Sequence, residues 1–362
     1  MGSTFGTNIK ISIFGESHGM GIGVVIDGLP AGEQLDIAAL QTEMNRRAPG
    51  NDPTATPRRE SDIPEICSGI LEDTTTGAPL CAVIENANTR SVDYERISRL
   101  PRPGHADYTG AVRYGGYNDV RGGGHFSGRL TAPLTFAGAV CKQILARRGI
   151  TIGGHIYAIG NIYDRPFDML RVHPDDLRRL TQSHFPLNNP SVEESMRTLV
   201  EQAHSEGDSV GGIVEIAAVG VPAGVGSPMF GGVENVLSSI VFGVPAVKGV
   251  EFGAGFNVTR MRGSECNDPF TIEHDKVVTT QNNSGGILGG ITTGMPIVLR
   301  AAIKPTPSIA AKQHTVDLRE KRDALLSING RHDPCIVPRA LPAVEAAVAI
   351  GLADMLKEVG KL

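Results

Sequence analysis

Residues 15–32 of the chain read GESHGMGIGVVIDGLPAG, and residues 207–224 read GDSVGGIVEIAAVGVPAG, which aligns with the first stretch without a gap. A second pair of matching segments follows in the same order, GILEDTTTGAPL at 69–80 and GILGGITTGMPI at 286–297. Two matches in one order indicate a duplicated βαβ-type unit, whose second copy carries an insertion between its two motifs. The sequence therefore predicts a fold with an internal pseudo-twofold repeat.

The two copies differ at one chemically important position. The acid, the hydroxyl and the glycines of the first turn are kept in the second copy, but Val210 stands where the first copy has His18. The scaffold therefore needs the kept residues for turn geometry and local backbone hydrogen bonds, and it does not need an imidazole. This comparison makes His18 a candidate catalytic residue, whereas Glu16 and Ser17 are interpreted as structural.

Hydrophobic patterning predicts alternating helices and strands along the whole chain. Ser191 and Glu194 form a capping-box pattern before the third helix, and Gly207 is expected to end it. We expect one domain over 1–362, with halves at about 8–150 and 200–360. Helices are predicted at 36–47, 130–148, 192–206 and 340–358, and strands at 8–14, 22–27, 79–85, 212–219 and 296–303.

Composition narrows the class of protein. The chain has 362 residues and a net charge of −5, which argues against nucleic acid or an anionic membrane as partner. Its five cysteines are odd in number and lack CxxC spacing, so we expect neither a disulfide framework nor a metal site. No secretory pattern and no apolar run of about 18 residues is present, so a cytoplasmic protein without a membrane span is expected.

A dense polar block, RLPRPGHADYTGAVRYGGYNDVRGGGHFSGR, occupies 99–129. His105 follows Pro103-Gly104 on a turn among several arginines, and Asp107 is close enough in sequence to balance that charge. A histidine so placed suits general acid–base work. The glycine-rich RGGGHFSG at 121–128 suits an anion because its N–H groups precede a helix, but it fits neither a Walker A loop nor a Rossmann fingerprint.

Further cationic residues lie in glycine- and proline-rich loops. KPTPSI at 304–309 combines a lysine with two hydroxyls, and GRHDPCIVPRA at 330–340 places Asp333 and Arg339 near the start of a helix, where the aspartate is equally explained as a cap. NRRAPGNDPTATPRRE at 45–60 holds four arginines. Arginines are the preferred clamps for carboxylates and phosphates, so these loops indicate a small, multiply anionic ligand.

Six motifs in order make the chain resemble the chorismate synthase family from about residue 6 to the C-terminus. They are GESHG at 15–19, RPGHADYT at 102–109, RGGGHFSGR at 121–129, GGILGGITTG at 285–294, KPTPSI at 304–309 and GRHDPC at 330–335. The resemblance implies an α+β fold, a βαβ sandwich with helices between antiparallel sheets, assembled as a homotetramer. The internal repeat agrees with a pseudo-symmetric sandwich.

The resemblance also implies a reaction. The family eliminates phosphate and a C6 proton from 5-enolpyruvylshikimate 3-phosphate to give chorismate in the shikimate pathway, and it requires reduced FMN (FMNH2) although no net redox change occurs. A substrate with two carboxylates and a phosphate needs several arginines and a protonated general acid. Whether the chain also reduces its flavin with NADPH is left open by the sequence.

Roles carry over from the family motif by motif. The resemblance implies that His18 protonates the departing phosphate, that His105 protonates the reduced flavin and that Asp333 helps to remove the C6 proton. Arg47, Arg102, Arg129 and Arg339 are expected to bind the anionic groups of the substrate. The residues expected to bind FMN are His125, Phe126, Ser127, Ala246, Gly289, Lys304, Pro305, Thr306, Pro307, Ser308 and Arg331.

Two departures from the family pattern bear on the site. Many relatives carry Arg-Ser-Ser where this chain has His125-Phe126-Ser127, so the charge beside the flavin differs. A second arginine that is usual a few residues after the Arg47 position is replaced by Pro53. Arg58 or Arg59 compensates if the loop folds back, and otherwise the substrate clamp in this loop is incomplete.

Three other functions were weighed. The first is a catalytically silent relative that still binds FMN, which the arginine missing at Pro53 would explain. A hydrolase using Ser17, a histidine and Asp333 is disfavoured because adjacent side chains diverge in an extended segment and because no GxSxG elbow is present. An anion- or RNA-binding module is disfavoured by the absence of a basic surplus and by the aromatic content of 5%.

Overall fold

The computed structural model describes residues 2–50, 62–86, 98–328 and 333–362. Two five-stranded antiparallel sheets form its frame. The first has the order β1-β2-β3-β7-β4, and a small hairpin, β5-β6, extends from it. The bounds of these strands are β1 Thr4–Phe5, β2 Lys10–Gly15, β3 Gly21–Asp27, β4 Glu65–Ser68, β5 Ile70–Leu71, β6 Thr74–Thr75 and β7 Leu80–Glu85.

The second sheet has the order β11-β16-β10-β8-β9, and three two-stranded hairpins accompany it. Its strands are β8 Thr151–Ile159, β9 Ile162–Tyr163, β10 Gly212–Val219, β11 Val247–Phe252 and β16 Ile297–Ile303. The hairpins are β12 Phe270–Glu273 with β13 Lys276–Thr279, β14 Ile287–Leu288 with β15 Ile291–Thr292, and β17 Gln313–Asp317 with β18 Arg322–Leu326. The strands predicted at 8–14, 22–27, 79–85, 212–219 and 296–303 are thus confirmed as β2, β3, β7, β10 and β16.

A layer of helices separates the two sheets. The helix Thr131–Arg147 packs on β3 and β7 of the first sheet, while Val337–Glu358 packs on β8 and β10 of the second. The two helices pack against each other so closely that a Cβ added at Gly138 would collide with Ala346. The α-helices are α1 Ile37–Arg47, α2 Asp107–Arg113, α3 Thr131–Arg147, α4 Pro174–Leu180, α5 Glu193–Ser205, α6 Val233–Phe242, α7 Gly263–Cys266 and α8 Val337–Glu358.

The character of α8 explains its central place. It is buried around almost its whole circumference, as its run of alanines and branched aliphatics requires. The prediction of a helix at 340–358 began three residues late because Pro338 lies in the first turn, where a missing N–H costs nothing. The predicted α+β sandwich, with helices between antiparallel sheets, is confirmed. None of the helices in the described ranges has the length and apolar character needed to cross a bilayer.

The helix predicted at 192–206 is confirmed as Glu193–Ser205, but its predicted cap is wrong. The capping box of Ser191 and Glu194 does not form, because α5 begins at Glu193 and its N-cap, Val192, makes no side-chain hydrogen bond. Asn189 instead accepts from the backbone N of Ser191 at 3.2 Å and starts a short 3-10 turn before the helix. Gly207, with a φ of +70°, does follow the end of the helix.

Equivalent hydrogen bonds are found in the two copies of the repeated motifs. In the first copy Thr75 Oγ1 donates to the carbonyl of Pro30 and accepts from the N–H of Glu33. In the second copy Thr292 Oγ1 makes the same two bonds, to the carbonyl of Pro222 and from the N–H of Val225. The second sheet also contains β8 at 151–159, which precedes the half predicted at 200–360. The division of the chain into halves at 8–150 and 200–360 therefore stays a prediction.

Candidate active site

A cavity of about 940 Å³ gathers most of the candidate residues, although they are spread over more than three hundred positions of the sequence. It lies where the end of β2, the glycine-rich loop, the loop after β16 and the start of α8 meet. The candidate residues that line it are His18, Arg47, Arg102, His105, His125, Phe126, Ser127, Arg129, Ala246, Lys304, Thr306, Pro307, Ser308, Asp333 and Arg339.

The remaining candidates lie elsewhere. Pro305 is in the same loop as Lys304 and Thr306 but is not part of the cavity wall, and Gly289 lies in the turn of the β14-β15 hairpin. Arg331, like Pro53, Arg58 and Arg59, falls outside the described residues. The contribution of these residues to a site therefore stays a prediction.

His18 lies in a turn after β2, where its imidazole is paired with the preceding hydroxyl. Ser17 Oγ is 3.0 Å from His18 Nδ1 and donates its single hydrogen to the carbonyl of Arg121 at 3.1 Å. Nδ1 is therefore the donor in the first bond, and Nε2 is the nitrogen that can exchange a proton. The expectation that these adjacent side chains diverge is wrong, because the segment is a turn and not an extended strand.

The glycine-rich loop is packed directly against both candidate histidines. Gly122, Gly123 and Gly124 all have positive φ, between +53° and +88°. A Cβ at Gly122 would collide with the imidazole of His18, and one at Gly123 would lie 3.0 Å from Cε1 and Nε2 of His105. The glycines are thus required for close approach to two side chains, a reason that the sequence interpretation of an anion-binding loop did not contain.

His105 is held by a carboxylate on the first turn of α2. Its Nδ1 lies 2.6 Å from Oδ1 of Asp107, and that carboxylate also accepts from Arg102 Nε at 2.7 Å and from the Arg102 backbone N at 2.9 Å. Burial raises the pKa of Asp107, but the bonds from Arg102 and His105 outweigh it and hold this pKa well below its usual range. Asp107 is therefore ionised and keeps a proton on Nδ1 of His105.

Arg47 and Arg129 share one buried carboxylate. Asp62 Oδ2 accepts from Arg47 Nε at 2.8 Å and also from Nη2, while Asp62 Oδ1 accepts from Arg129 Nη1. Thr131 Oγ1 accepts from Arg47 Nη1 at 3.2 Å, and Asn86 Oδ1 accepts from Arg129 Nε at 3.2 Å. Both guanidinium groups are thereby fixed in the cavity wall.

Arg339 is a further arginine that lines the cavity. Its Nε donates to the carbonyl of Arg47 at 3.0 Å, and its Nη1 donates to Asp333 Oδ2. Asp333 thus pairs with a residue of α8 and is not the cap of that helix, whose N-cap is Ile336. Burial lowers the pKa of Arg47 to about 10; Asp62 opposes this effect, while Arg339 and Arg129 add to it.

The loop after β16 has the character of a second anion site. Burial, and then the charge of Lys248, lower the pKa of Lys304, whose Nζ donates to the carbonyl of Gly104. Oγ1 of Thr306 is buried without a hydrogen-bond partner among the described residues, although Thr306 lines the cavity. A buried hydroxyl without a partner is costly, so this position favours a polar ligand atom.

Both ring nitrogens of His125 form hydrogen bonds with other residues of the chain. Its Nδ1 donates to the carbonyl of Gly15 at 2.8 Å, and its Nε2 lies 2.8 Å from Ser3 Oγ. Phe126 packs against α2, where a Cβ at Gly110 would lie 2.7 Å from its ring. These two residues therefore tie the glycine-rich loop to β2, to the N-terminal segment and to α2, besides lining the cavity.

Two supporting residues were not among the sequence candidates. Asp62 and Asn86 are 67 and 43 positions from Arg129 in the sequence, and each bonds to that arginine. Neither belongs to a motif with a chemical signature, and only the pairing of β4 with β7 brings their segments together. A single sequence offers no signal for such a contact.

The arrangement has a clear chemical capacity. Two imidazoles and one carboxylate line the same cavity as a set of guanidinium groups. Such a site binds a small ligand with several negative charges, delivers a proton to a leaving group and accepts a proton from carbon.

Comparison with known proteins points in one direction. The chain matches the family model described as chorismate synthase over residues 9–356. A chorismate synthase from Dehalococcoides mccartyi is 48% identical over 360 residues, covering 99% of this chain and 98% of that protein. One from Thermococcus kodakarensis is 47% identical over 351 residues, covering 97% and 96%. A crystal structure of a chorismate synthase superposes with a TM-score of 0.77 at 29% identity, covering 98% and 94%.

Proposed function

The chain belongs to the chorismate synthase family, and from this premise we propose that it is a lyase that converts 5-enolpyruvylshikimate 3-phosphate into chorismate and phosphate with reduced FMN. The observation that carries the proposal is the single cavity that unites His18, His105 and Asp333 with Arg47, Arg102, Arg129 and Arg339. A substrate with a phosphate and two carboxylates matches this density of guanidinium groups.

The residues present fit a flavin mononucleotide. The unpartnered Oγ1 of Thr306 supplies a hydrogen bond, and the charge of Lys304 suits a phosphate or the flavin ring edge. Ala246, Pro307 and Phe126 supply apolar parts of the cavity wall. When bound, reduced FMN would supply electron density while the phosphate leaves.

The chain's own residues would divide the remaining chemistry. The anionic substrate is bound by the guanidinium groups of Arg47, Arg102, Arg129 and Arg339, which also exclude water from it. His18 holds a proton at Nε2 for the departing phosphate, because Nδ1 is committed to Ser17. His105, whose ring is oriented by the contact of Nδ1 with Asp107, would deliver a proton to the reduced flavin, and Asp333 would supply the carboxylate that assists removal of the C6 proton.

The family assignment also bears on the alternatives. It favours elimination over a hydrolase that uses Ser17, whose hydroxyl hydrogen is directed to the carbonyl of Arg121. It does not distinguish an active enzyme from a silent one that binds FMN, because Pro53, Arg58 and Arg59 lie outside the described residues. The activity measurement below makes that distinction.

We further propose a cytoplasmic homotetramer built from one domain with two similar halves. The halves are those predicted at 8–150 and 200–360, with β8 at 151–159 added to the second. The homotetramer is supported by the family resemblance alone, and the cytoplasmic location by the sequence pattern described above. Gly289, Pro305 and Arg331 remain proposed FMN contacts on the same basis, and use of NADPH to reduce the flavin is tested by the assay.

The experiment is an anaerobic assay with purified protein, chemically reduced FMN and 5-enolpyruvylshikimate 3-phosphate, in which chorismate is followed by its absorbance. Product that depends on reduced flavin supports the proposal. Replacing the chemical reductant with NADPH asks whether the chain reduces its own flavin. Binding of FMN and substrate without product would indicate the silent relative instead.

His18→Ala is the variant that tests the assigned acid. We expect intact folding and FMN binding, with turnover lowered at least about 100-fold, because loss of a general acid typically costs 10²–10⁴-fold. His314→Ala, in the β17-β18 hairpin outside this cavity, is the matched control. Turnover by His18→Ala equal to that of the control would reject the role of His18.

A further inference from the structure

We propose that Asp62 is a positioning residue that orients Arg47 and Arg129 towards an anionic group of the substrate. The inference rests on the proposed function and extends it to a residue that no motif singled out. Asp62 lies immediately before β4, and its side chain is completely covered. Asp62 does not itself line the cavity, whereas the two arginines that it contacts do, so it would act on a substrate through them.

The geometry assigns one carboxylate oxygen to each arginine. Oδ2 is bound by Nε and Nη2 of Arg47, and Oδ1 is bound by Nη1 of Arg129. Each guanidinium also has an anchor on a rigid element, since Arg47 donates to Thr131 on α3 and Arg129 donates to the carbonyl of Glu85 on β7. Asp62 bonds to both of these anchored cations at once, so it fixes their mutual orientation.

The electrostatics show why a carboxylate is needed here. Arg47 is only 1% exposed, and the charges of two neighbouring cations, Arg339 and Arg129, act on it. Burial raises the pKa of Asp62, but the charges of Arg47 and Arg129 outweigh burial and lower it. The ionised carboxylate therefore offsets the repulsion between the arginines before the substrate arrives.

The backbone indicates that this placement is imposed. Asp62 has a φ of +45°, in the left-handed region that side chains other than glycine adopt at some cost. Aspartate tolerates that region better than most residues, but the neighbours must still hold it there. Such strain is retained where surrounding contacts over-determine it, here the bonds to two arginines.

The same chain offers a matched control. Glu33 also bridges two arginines, with Oε2 3.1 Å from Arg147 Nη1 and Oε1 2.5 Å from Arg148 Nη2. It lies outside the cavity wall. Glu33→Gln therefore removes the same kind of bridge without touching the proposed site.

The test measures substrate affinity and turnover separately. For Asp62→Asn we expect KM and the calorimetric Kd for 5-enolpyruvylshikimate 3-phosphate, with oxidised FMN present, to rise at least about 10-fold. This is the weaker end of the loss of a charge-assisted hydrogen bond. We expect kcat to change by less than about threefold, and Glu33→Gln to bind substrate like the wild type.

A double-mutant cycle guards against a merely structural effect. If Asp62 acts through Arg129, Arg129→Lys should weaken binding by itself, and adding Asp62→Asn should then weaken it little further. Additive effects, or loss of stability without a change in Kd, would overturn the inference. Tighter substrate binding by Asp62→Asn would also overturn it, because added positive charge would then outweigh orientation.

The outcomes separate this inference from the proposed reaction. If the wild type binds the substrate but forms no chorismate, the proposed reaction fails, and weaker binding by Asp62→Asn still supports the positioning role. If the wild type forms chorismate and Asp62→Asn keeps the wild-type KM, the positioning role fails and the reaction stands.

Discussion

Replacement of Gly122 by alanine should remove activity while leaving the fold nearly unharmed. A Cβ at this position would lie 2.7 Å from Ser17 Oγ and closer still to Cε1 and Nδ1 of His18. Carbon atoms in ordinary contact are about 3.5 Å apart, so the imidazole must retreat by roughly 1 Å or more. The obstacle is the end of a side chain and not backbone, so the ring moves and the loop keeps its path.

The size of the effect follows from that displacement. A misplacement of about 1 Å at a catalytic group can cost about 100-fold, so kcat for chorismate formation should fall by about this factor. The φ of +58° at Gly122 adds a backbone penalty of about 1–2 kcal/mol for alanine. Gly149→Ala pays the same kind of penalty, at a φ of +75° with open space around its Cβ, and is the matched control.

The neighbouring glycine provides a graded comparison. A Cβ at Gly123 would lie 3.0 Å from His105, so the ring there needs to give by only about half an ångström. We expect Gly123→Ala to lose about tenfold in kcat, less than Gly122→Ala. Anaerobic turnover and urea denaturation would be measured on all three variants. The reasoning fails if Gly122→Ala turns over as fast as Gly149→Ala, or if it unfolds far more easily than that control.

Two predictions concern stability. Burial lowers the pKa of the fully buried His155, but its hydrogen bonds to Asp164 and Glu215 outweigh burial and raise it. The contribution of His155 to the free energy of unfolding should therefore be fully present below the ordinary histidine pKa of about 6.5 and be lost, by up to about 1.4 kcal/mol per pH unit, as pH rises through the raised pKa. His155→Gln should remove this contribution to the slope in urea titrations at several pH values, and equal slopes would refute the assignment. The carboxylate of Asp354 accepts hydrogen bonds from the backbone N–H groups of Thr7, Asn8 and Ile9. Asp354→Asn should therefore lower the free energy of unfolding by about 2 kcal/mol, against almost no change for the exposed Asp175→Asn. An unchanged denaturation midpoint would contradict the importance of these bonds.

The strands and the duplication were accessible to sequence reasoning because both are local patterns. Alternating apolar residues located β3, β7, β10 and β16 to within one residue, and the copied motifs located the equivalent turns. The start of α5 was predicted to within one residue, but its cap was assigned wrongly, because the side chain of Asn189, two residues before Ser191, caps the preceding 3-10 turn instead. A cap is decided by competition among neighbouring polar side chains, and a motif names only one of the competitors.

The site was predictable in its residue types but not in its internal contacts. His105 and Asp107 lie two positions apart, so their pairing was readable as a balance of charge. The bridge from Asp62 to Arg129 depends instead on how β4 and β7 bring distant segments together. The error at Ser17 and His18 has a local origin. These adjacent side chains lie in a turn, where side-chain directions differ from those of a strand.

The kept residues of the second turn now have an explanation. In the first copy Ser17 donates from its backbone N to the carbonyl of Gly124 and from Oγ to that of Arg121, which anchors the glycine-rich loop beneath the cavity. In the second copy Ser209 Oγ donates to the carbonyl of Thr306, and the next N–H, of Val210, donates to the carbonyl of Pro334. Each turn thus anchors a different segment of the same cavity wall. The hydroxyl is needed twice for this anchoring, whereas the proposed role of His18 in proton transfer calls for an imidazole in the first copy alone, which agrees with valine in the second copy.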